Sequence, residues 1–161
     1  MPVTIRFATA PDAPTVHRFI AALAAYEREP DAVEVTVGTL ASQLGSPRPP
    51  FECLLAEQDG AAVGFALFFQ TYSTWRGRVG VHLEDLFVLP EHRRRGVGSA
   101  LLRRLARLTR ERHGARLEWA VLDWNAPAIA FYRRFGAEPL GEWTTWRLTD
   151  AGLRALADRD A

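Results

Sequence analysis

The amino-acid sequence predicts a mixed α/β fold in which strands and helices alternate through the second half of the chain. Two alternating apolar runs, Phe51–Glu57 and Ala61–Tyr72, flank Asp59-Gly60, a dipeptide typical of hairpin turns. After Gly98, leucines recur at intervals of three and four residues, the spacing of an amphipathic helix. At 161 residues and 48% hydrophobic content the chain suits one core, so we expect a single domain over 1–161.

The N-terminal part predicts one strand followed by two helices. Val3–Phe7 alternates as a strand does, and apolar residues at helical spacing begin after Asp12. Thr36–Leu44 predicts a second helix, and the proline-rich segment 45–50 that follows it predicts a loop.

The rest of the chain predicts strands that alternate with helices. Asn125 precedes Ala126-Pro127, which is typical of a helix start, and Gly136 is placed to end that helix. The remaining elements are a strand over His82–Leu89, a helix from Gly98, a strand over Arg116–Leu122, a strand over Gly141–Leu148 and an amphipathic tail over Thr149–Ala157.

Composition excludes several classes of protein. No apolar run approaches the roughly 18 residues of a membrane span, and the N-terminus lacks a signal-peptide core, so we expect a cytoplasmic protein with no membrane partner. All 20 basic residues are arginine, but 19 acidic residues offset them, and we expect no nucleic-acid partner. The one cysteine, Cys53, lies in a predicted strand and is expected to be a buried thiol.

A basic, glycine-containing loop follows the strand that ends at Leu89. A strand, a basic turn, Gly96 and Gly98, and then a helix together predict a loop whose backbone N–H groups bind an anion. A Walker loop would need lysine after its last glycine, and a dinucleotide fingerprint would need a small residue where Leu101 stands. A turn that only caps an amphipathic helix is the alternative.

The motif Arg93-x-x-Gly96-x-Gly98 resembles the pyrophosphate-binding signature of the GNAT family of N-acetyltransferases. Segments over 83–88, 120–125 and 130–137 resemble the same family in the same order, as do Tyr26-Glu27 and Tyr72–Arg78. The resemblance covers most of the chain and is closest to the diamine acetyltransferase branch, in particular to its thialysine-acetylating members. It implies a mixed, mostly antiparallel sheet of about seven strands flanked by helices, an acetyl-CoA donor, no metal and a homodimer, to whose interface Trp143 and Trp146 would contribute.

The resemblance also implies which residues bind the donor. Backbone groups at the end of the strand would bind the pantetheine arm, the basic loop would bind the pyrophosphate, and the segment that starts at Asn125 would line the other side of the arm. These residues are Leu86, Phe87, Val88, Arg93, Arg94, Arg95, Gly96, Val97, Gly98, Ser99, Asn125, Ala126, Pro127 and Ala128. Asn125 is equally suited to capping a helix.

Two side chains are the candidates for acid–base chemistry. A free alkylamine has a pKa of about 10, so a group must accept its proton, and Glu84 in an otherwise apolar strand is costly unless it is used or paired. By strand alternation we expect Asp85 to point to the opposite face. Tyr132 matches the family's general acid, which protonates the leaving thiolate. A paired structural carboxylate and a core aromatic are the respective alternatives.

The resemblance implies a small-molecule acceptor with a primary amine, and carboxylates and aromatic rings would attract its cationic form. The candidate acceptor-binding residues are Tyr26, Glu27, Glu84, Trp75, Glu118, Trp119 and Ala120. Polyamine-acetylating relatives tend to carry an acidic residue where Ser73 stands, which favours a lysine-like acceptor such as thialysine, or a diamine. Peptide N-acetylation and a non-catalytic acyl-CoA sensor are the alternatives.

Overall fold

The computed structural model describes residues 2–159, so residues 1, 160 and 161 of the domain predicted for 1–161 lie outside the described part. The backbone forms two compact units, Met1–Leu122 and Asp123–Ala161. Within residues 2–159, the first contains the sheet and three α-helices, and the second contains two α-helices.

The first unit is built on one mixed sheet. Its strands are β1 (Thr4–Phe7), β2 (Glu52–Gln58), β3 (Ala61–Ser73), β4 (Arg78–Val88) and β5 (Leu117–Trp119). They lie in the order β1-β2-β3-β4-β5, and each neighbouring pair is antiparallel except β4 and β5, which are parallel. The mixed, mostly antiparallel sheet is confirmed, but about seven strands is wrong, since residues 2–159 form five.

The predicted hairpin between β2 and β3 is confirmed. Asp59 and Gly60 both have positive φ, 52° and 77°, as a tight turn between two twisted strands requires. The turn fixes the register of the pair, from Gln58 opposite Ala61 to Glu52 opposite Phe68.

Three helices complete the first unit, namely α1 (Ala13–Tyr26), α2 (Val37–Leu44) and α3 (Val97–Glu111). Thr36 begins α2 as predicted, because its hydroxyl accepts a hydrogen bond from Thr39 N at 3.1 Å. In α3 the predicted leucine stripe is buried, with Leu101 and Leu105 fully inaccessible.

The two faces of the sheet carry separate cores. On one face, Phe19 of α1 stacks on Phe65 of β3 with 5.4 Å between ring centroids, in a cluster that also contains Cys53 and Phe87. Strand residues at the alternate positions are buried toward α3, which packs on β2, β3 and β4. The expected burial of Cys53 is confirmed, and burial raises the pKa of its thiol.

The second unit contains α4 (Ala126–Arg133) and α5 (Asp150–Ala157). Gly136, with φ 76°, follows the end of α4 as predicted. The strand predicted over Gly141–Leu148 is wrong: tryptophan and threonine favour strands only where a neighbouring strand supplies a ladder, and no described residue pairs with this segment. For the same reason β5 ends at Trp119 and not at Leu122.

None of the helices within residues 2–159 combines the length and the apolar character needed to cross a membrane.

Candidate active site

The basic loop, residues 89–99, joins β4 to α3 through backbone of unusual conformation. Arg94 and Gly96 are both left-handed, with φ of 58° and 82°. The first hydrogen bond of α3 runs from Ala100 N to Gly96 O at 2.9 Å, so the N–H groups of residues 97–99 have no partner within the helix. Free N–H groups at a helix N-terminus, preceded by a left-handed turn, suit a pyrophosphate.

Side-chain contacts fix the basic loop to the sheet and to α1. His92 Nδ1 lies 2.8 Å from Oε1 of the buried Gln58 at the end of β2. Arg93 Nε donates to Val88 O at 2.9 Å, and its guanidinium lies 5.2 Å from the Tyr26 ring centroid and 5.4 Å from that of Phe87. The Arg93 side chain therefore connects the loop to α1.

The end of β4 offers an edge that no described strand covers. β5 pairs with β4 only at Val81, His82 and Leu83, so the ladder stops before Glu84. On the other side β3 approaches closely, since a Cβ on Gly64 would lie 2.8 Å from Phe87 O. No described strand therefore pairs with this side of residues 86–88. The predicted binding of a pantetheine arm requires such an unpaired backbone edge.

A β-bulge in β4 changes which way the two acidic side chains point. Leu67 pairs with Asp85 whereas Phe68 pairs with Leu83, so Glu84 is the extra residue. Residues that pair across strands share a face of the sheet, and Leu67 belongs to the core cluster under α1. Asp85 therefore faces α1, and the expectation that it points away from Glu84 is wrong.

Glu84 lies on this same face. Two residues earlier, His82 pairs with Phe69, which alternates with Leu67 along β3 and so shares its side of the sheet. His82 Nε2 lies 3.3 Å from Glu84 Oε2. The bulge thus directs both carboxylates to the face that α1 covers.

These carboxylates and Glu27 form an acidic cluster, defined here as Glu27, Glu84 and Asp85. Burial, together with the charges of Glu84 and Glu27, raises the pKa of Asp85 to about 6. Burial also raises the pKa of Glu27, which follows the last residue of α1. Three carboxylates that repel one another in a partly buried site favour a cationic ligand.

The other predicted acceptor residues are distributed more widely. Glu118 on β5 pairs in register with His82 and forms an ion pair with Arg116 at 3.0 Å, while Trp119 ends the same strand and Ala120 follows it. Trp75 lies in the turn between β3 and β4, at the other end of β4 from the basic loop, and its side chain is 89% exposed.

Asn125 and Tyr132 belong to the second unit. Asn125 is buried and caps α4, its Oδ1 accepting a hydrogen bond from Ala128 N at 3.3 Å, as the sequence predicted. Tyr132 lies near the end of α4, where its ring contacts Phe131 edge to face with centroids 5.2 Å apart.

The sequence interpretation missed two residues of this site. Asp85 was assigned to the wrong face because alternation assumes an unbroken ladder, and only a strand register reveals a bulge. His82 was treated only as the start of a strand, although a histidine two residues before a candidate base was a visible signal. In the described part of the chain, no group of three or more His, Cys, Asp or Glu residues is arranged to bind a metal ion.

An anion-binding loop, an uncovered strand edge and an acidic cluster are what transfer of an acyl group from a phosphate-bearing donor to an amine requires. The model of the acetyltransferase (GNAT) family matches residues 18–137. The chain belongs to the GNAT family of acetyltransferases, and it is an amine N-acetyltransferase.

Individual proteins of known name or structure also match most of the chain. The chain is 34% identical to thialysine N-epsilon-acetyltransferase of Bos taurus, with 98% of each chain covered. It is 30% identical to an L-ornithine N5-acetyltransferase of Arabidopsis thaliana, with 94% of this chain and 86% of the relative covered. Among solved structures, an integron cassette protein of V. cholerae matches with a TM-score of 0.82 over 99% of each chain at 24% identity, which shows the same fold.

Proposed function

We propose that this protein transfers the acetyl group of acetyl-CoA to the terminal primary amine of a small lysine-like or diamine acceptor. The observation that carries this proposal is the acidic cluster, in which Glu84 and Asp85 of β4 interact with Glu27 at the end of α1. Two of the relatives are named for acetylation of thialysine and of ornithine, both of which end in a primary amine.

In this proposal the donor binds mainly through backbone. The N–H groups of residues 97–99 bind the pyrophosphate, and the guanidinium groups of Arg94 and Arg95 add positive charge around it. The uncovered edge of residues 86–88 hydrogen-bonds the pantetheine arm, and the family resemblance assigns residues 125–128 to the same arm. Arg93 acts differently, because its side chain holds the loop against Tyr26 and Phe87.

The acidic cluster binds the acceptor as an ammonium ion and then removes its proton. Glu84 is the more exposed of the two β4 carboxylates, with 56% of its side chain accessible, and we assign it the proton. Asp85 and Glu27 supply the negative charge that draws the cation in. Once neutral, the amine nitrogen attacks the thioester carbonyl.

Collapse of the resulting intermediate completes the reaction. The new C–N bond remains, the C–S bond breaks, and the departing thiolate takes a proton from the Tyr132 hydroxyl. The nitrogen loses its second proton as the neutral amide forms, and that proton restores the Tyr132 hydroxyl, while the proton held by Glu84 passes to solvent. A phenol has a pKa of about 10, which suits protonation of a thiolate.

We also propose that the protein forms a homodimer, with the exposed Trp143 and Trp146 at its interface. Sedimentation velocity of the purified protein tests this oligomeric state.

An acceptor screen at fixed acetyl-CoA concentration tests the substrate class. The panel contains thialysine, lysine, ornithine, diamines, spermidine, spermine and a lysine-bearing peptide, and release of free thiol measures turnover. Small amines with a short diamine-like end should give the highest kcat/KM. Turnover of the peptide alone would overturn the assignment of a small acceptor.

A second experiment tests Tyr132 as the general acid. Tyr132→Phe keeps the ring and removes the hydroxyl, so kcat should fall by about a hundredfold or more. The Kd for acetyl-CoA, measured by calorimetry, should stay close to that of the wild type. Unchanged turnover in Tyr132→Phe would remove this tyrosine from the mechanism.

A further inference from the structure

Strand β5 and the residue before it carry an ion pair on the same face of the sheet as Glu84. Glu118 pairs in register with His82, and Arg116 lies two residues before Glu118, so both side chains share the face of His82 and Glu84. Arg116 Nε lies 3.0 Å from Glu118 Oε2, with 44% and 32% of the two side chains accessible. This face therefore offers a positive and a negative group side by side, both open to solvent.

The position of the Arg116 side chain depends on a glycine in β4. A Cβ at Gly80 would lie 3.3 Å from Arg116 Cγ and 2.7 Å from Thr71 Oγ1. A larger residue at position 80 would therefore displace the arginine, whereas glycine lets its aliphatic part lie over β4. Packing and the ion pair together hold Arg116 at this place.

The separation between Glu84 and Glu118 suits a molecule with two amines. Glu118 lies opposite His82, two residues along β4 from Glu84, so about 7 Å separates the two positions along the strands and about 5 Å across them. In an extended lysine molecule, six single bonds of about 1.5 Å join the two amine nitrogens and place them about 7 Å apart. A terminal ammonium at Glu84 thus brings the second ammonium close to Glu118.

The ion pair matches the charges of an α-amino acid. The ammonium of this zwitterion complements the Glu118 carboxylate, and its carboxylate complements the guanidinium of Arg116, which presents paired N–H donors in one plane. A plain diamine has no anionic group, so it uses Glu118 and leaves Arg116 without a ligand. The acidic cluster repels a carboxylate, so an acceptor that carries one needs the positive charge of Arg116.

We propose that Arg116 and Glu118 bind the α-carboxylate and the α-ammonium of an amino acid whose side-chain amine is acetylated. This assigns the acceptor to amino acids with a terminal amine, and not to diamines in general. The inference rests on the proposed function, because it takes Glu84 as the site of the amine that reacts.

Truncated acceptors test the two contacts separately. Cadaverine is lysine without the α-carboxylate, and 6-aminohexanoate is lysine without the α-amine. If another amino acid is the better acceptor in the screen, its own truncated forms replace these. Release of free thiol at saturating acetyl-CoA gives kcat and KM for each, and the wild type should use lysine at least as well as cadaverine.

Arg116→Gln removes the partner of the α-carboxylate. The KM for lysine should rise by about tenfold or more with kcat retained, because a charge-assisted contact is lost. The KM for cadaverine should not rise, since cadaverine has no carboxylate.

Glu118→Gln makes the reciprocal change. The KM values for lysine and cadaverine should rise by similar factors, whereas that for 6-aminohexanoate, which carries no second amine, should not rise. Arg110→Gln, an equal change of charge in the exposed last turn of α3 on the other face of the sheet, is the matched control and should retain the wild-type constants.

The outcomes separate this inference from the proposed function. In Arg116→Gln, equal rises in the KM for lysine and cadaverine, or no rise in either, would overturn carboxylate recognition. If neither variant folds, the wild type decides, since a preference of about tenfold or more for cadaverine over lysine would show that the α-carboxylate has no partner. Acetylation of diamines but of no amino acid overturns this inference alone, whereas acetylation of no amine overturns the proposed function as well.

Discussion

The basic loop and the acidic cluster lie on either side of the end of β4, and they are built by different means. The loop presents main-chain N–H groups, held by two left-handed residues and by the start of α3. The acidic cluster presents side-chain carboxylates, directed by a bulge that adds one residue to β4. In the proposed function, the loop binds the donor through its backbone conformation and the acidic cluster binds the acceptor through charge.

This difference teaches which changes each region tolerates. A backbone site keeps its donors when side chains change, provided that φ and ψ remain accessible. A carboxylate site loses its function when one charge is removed, although the fold barely changes. The donor can therefore stay the same while the acceptor changes by substitution at a few positions on the α1 face.

The largest expected effect comes from Glu84→Gln, which breaks the acidic cluster and leaves the basic loop intact. The variant keeps the shape of the side chain but can neither attract the ammonium nor take its proton. We expect kcat/KM for the amine to fall by about a hundredfold or more, with no change in the Kd for acetyl-CoA. Glu111→Gln, an equal change of charge at the exposed end of α3, is the control and should behave as the wild type.

Gly96→Ala makes the complementary change in the basic loop. A left-handed alanine at φ 82° costs about 1–2 kcal/mol, so the loop should shift and the Kd for acetyl-CoA should rise by about five- to thirtyfold. A Cβ at this position would meet no other atom within 4 Å, so the loss of donor affinity would come from backbone conformation and not from a steric clash. A Gly60→Ala control in the β2–β3 turn, where φ is also positive, should lose stability without losing donor affinity. Equal donor affinity in Gly96→Ala and the wild type would contradict a backbone-built site.

The same contrast explains how much the sequence could predict. Gly96, Gly98 and the arginines are neighbours in the chain, so a short motif contains the whole basic loop that we propose as the donor site. The acidic cluster depends on how β3 and β4 pair, and no local pattern shows that Glu84 is unpaired in the ladder. The strand prediction for 141–148 was wrong for a related reason, because its composition favours a strand but pairing is a property of two segments.

Asp85→Asn should separate stability from function within the acidic cluster. Since the folded-state pKa of Asp85 is raised to about 6, the wild type is most stable when this group is protonated and loses stability as the pH rises from about 4 through 6. Asparagine carries no charge, so thermal unfolding should show the variant more stable by about 1–2 kcal/mol at pH 8 and equal at pH 4. Its kcat/KM for the amine should nevertheless fall. If the variant and the wild type were equally stable at both pH values, burial and the neighbouring carboxylates would not destabilise ionised Asp85.

The smallest effect is expected where the two regions meet. Arg93 of the basic loop lies over the ring of Tyr26, whose neighbour Glu27 belongs to the acidic cluster, so Tyr26→Leu removes an aromatic face at this junction. An exposed cation–π contact contributes about 0.5–1 kcal/mol, which corresponds to a two- to fivefold increase in the KM for acetyl-CoA. Tyr26→Phe keeps the ring and should retain the wild-type KM. If leucine and phenylalanine behave alike, the Tyr26 ring does not position the loop, and Phe87 and the Val88 carbonyl suffice to hold Arg93.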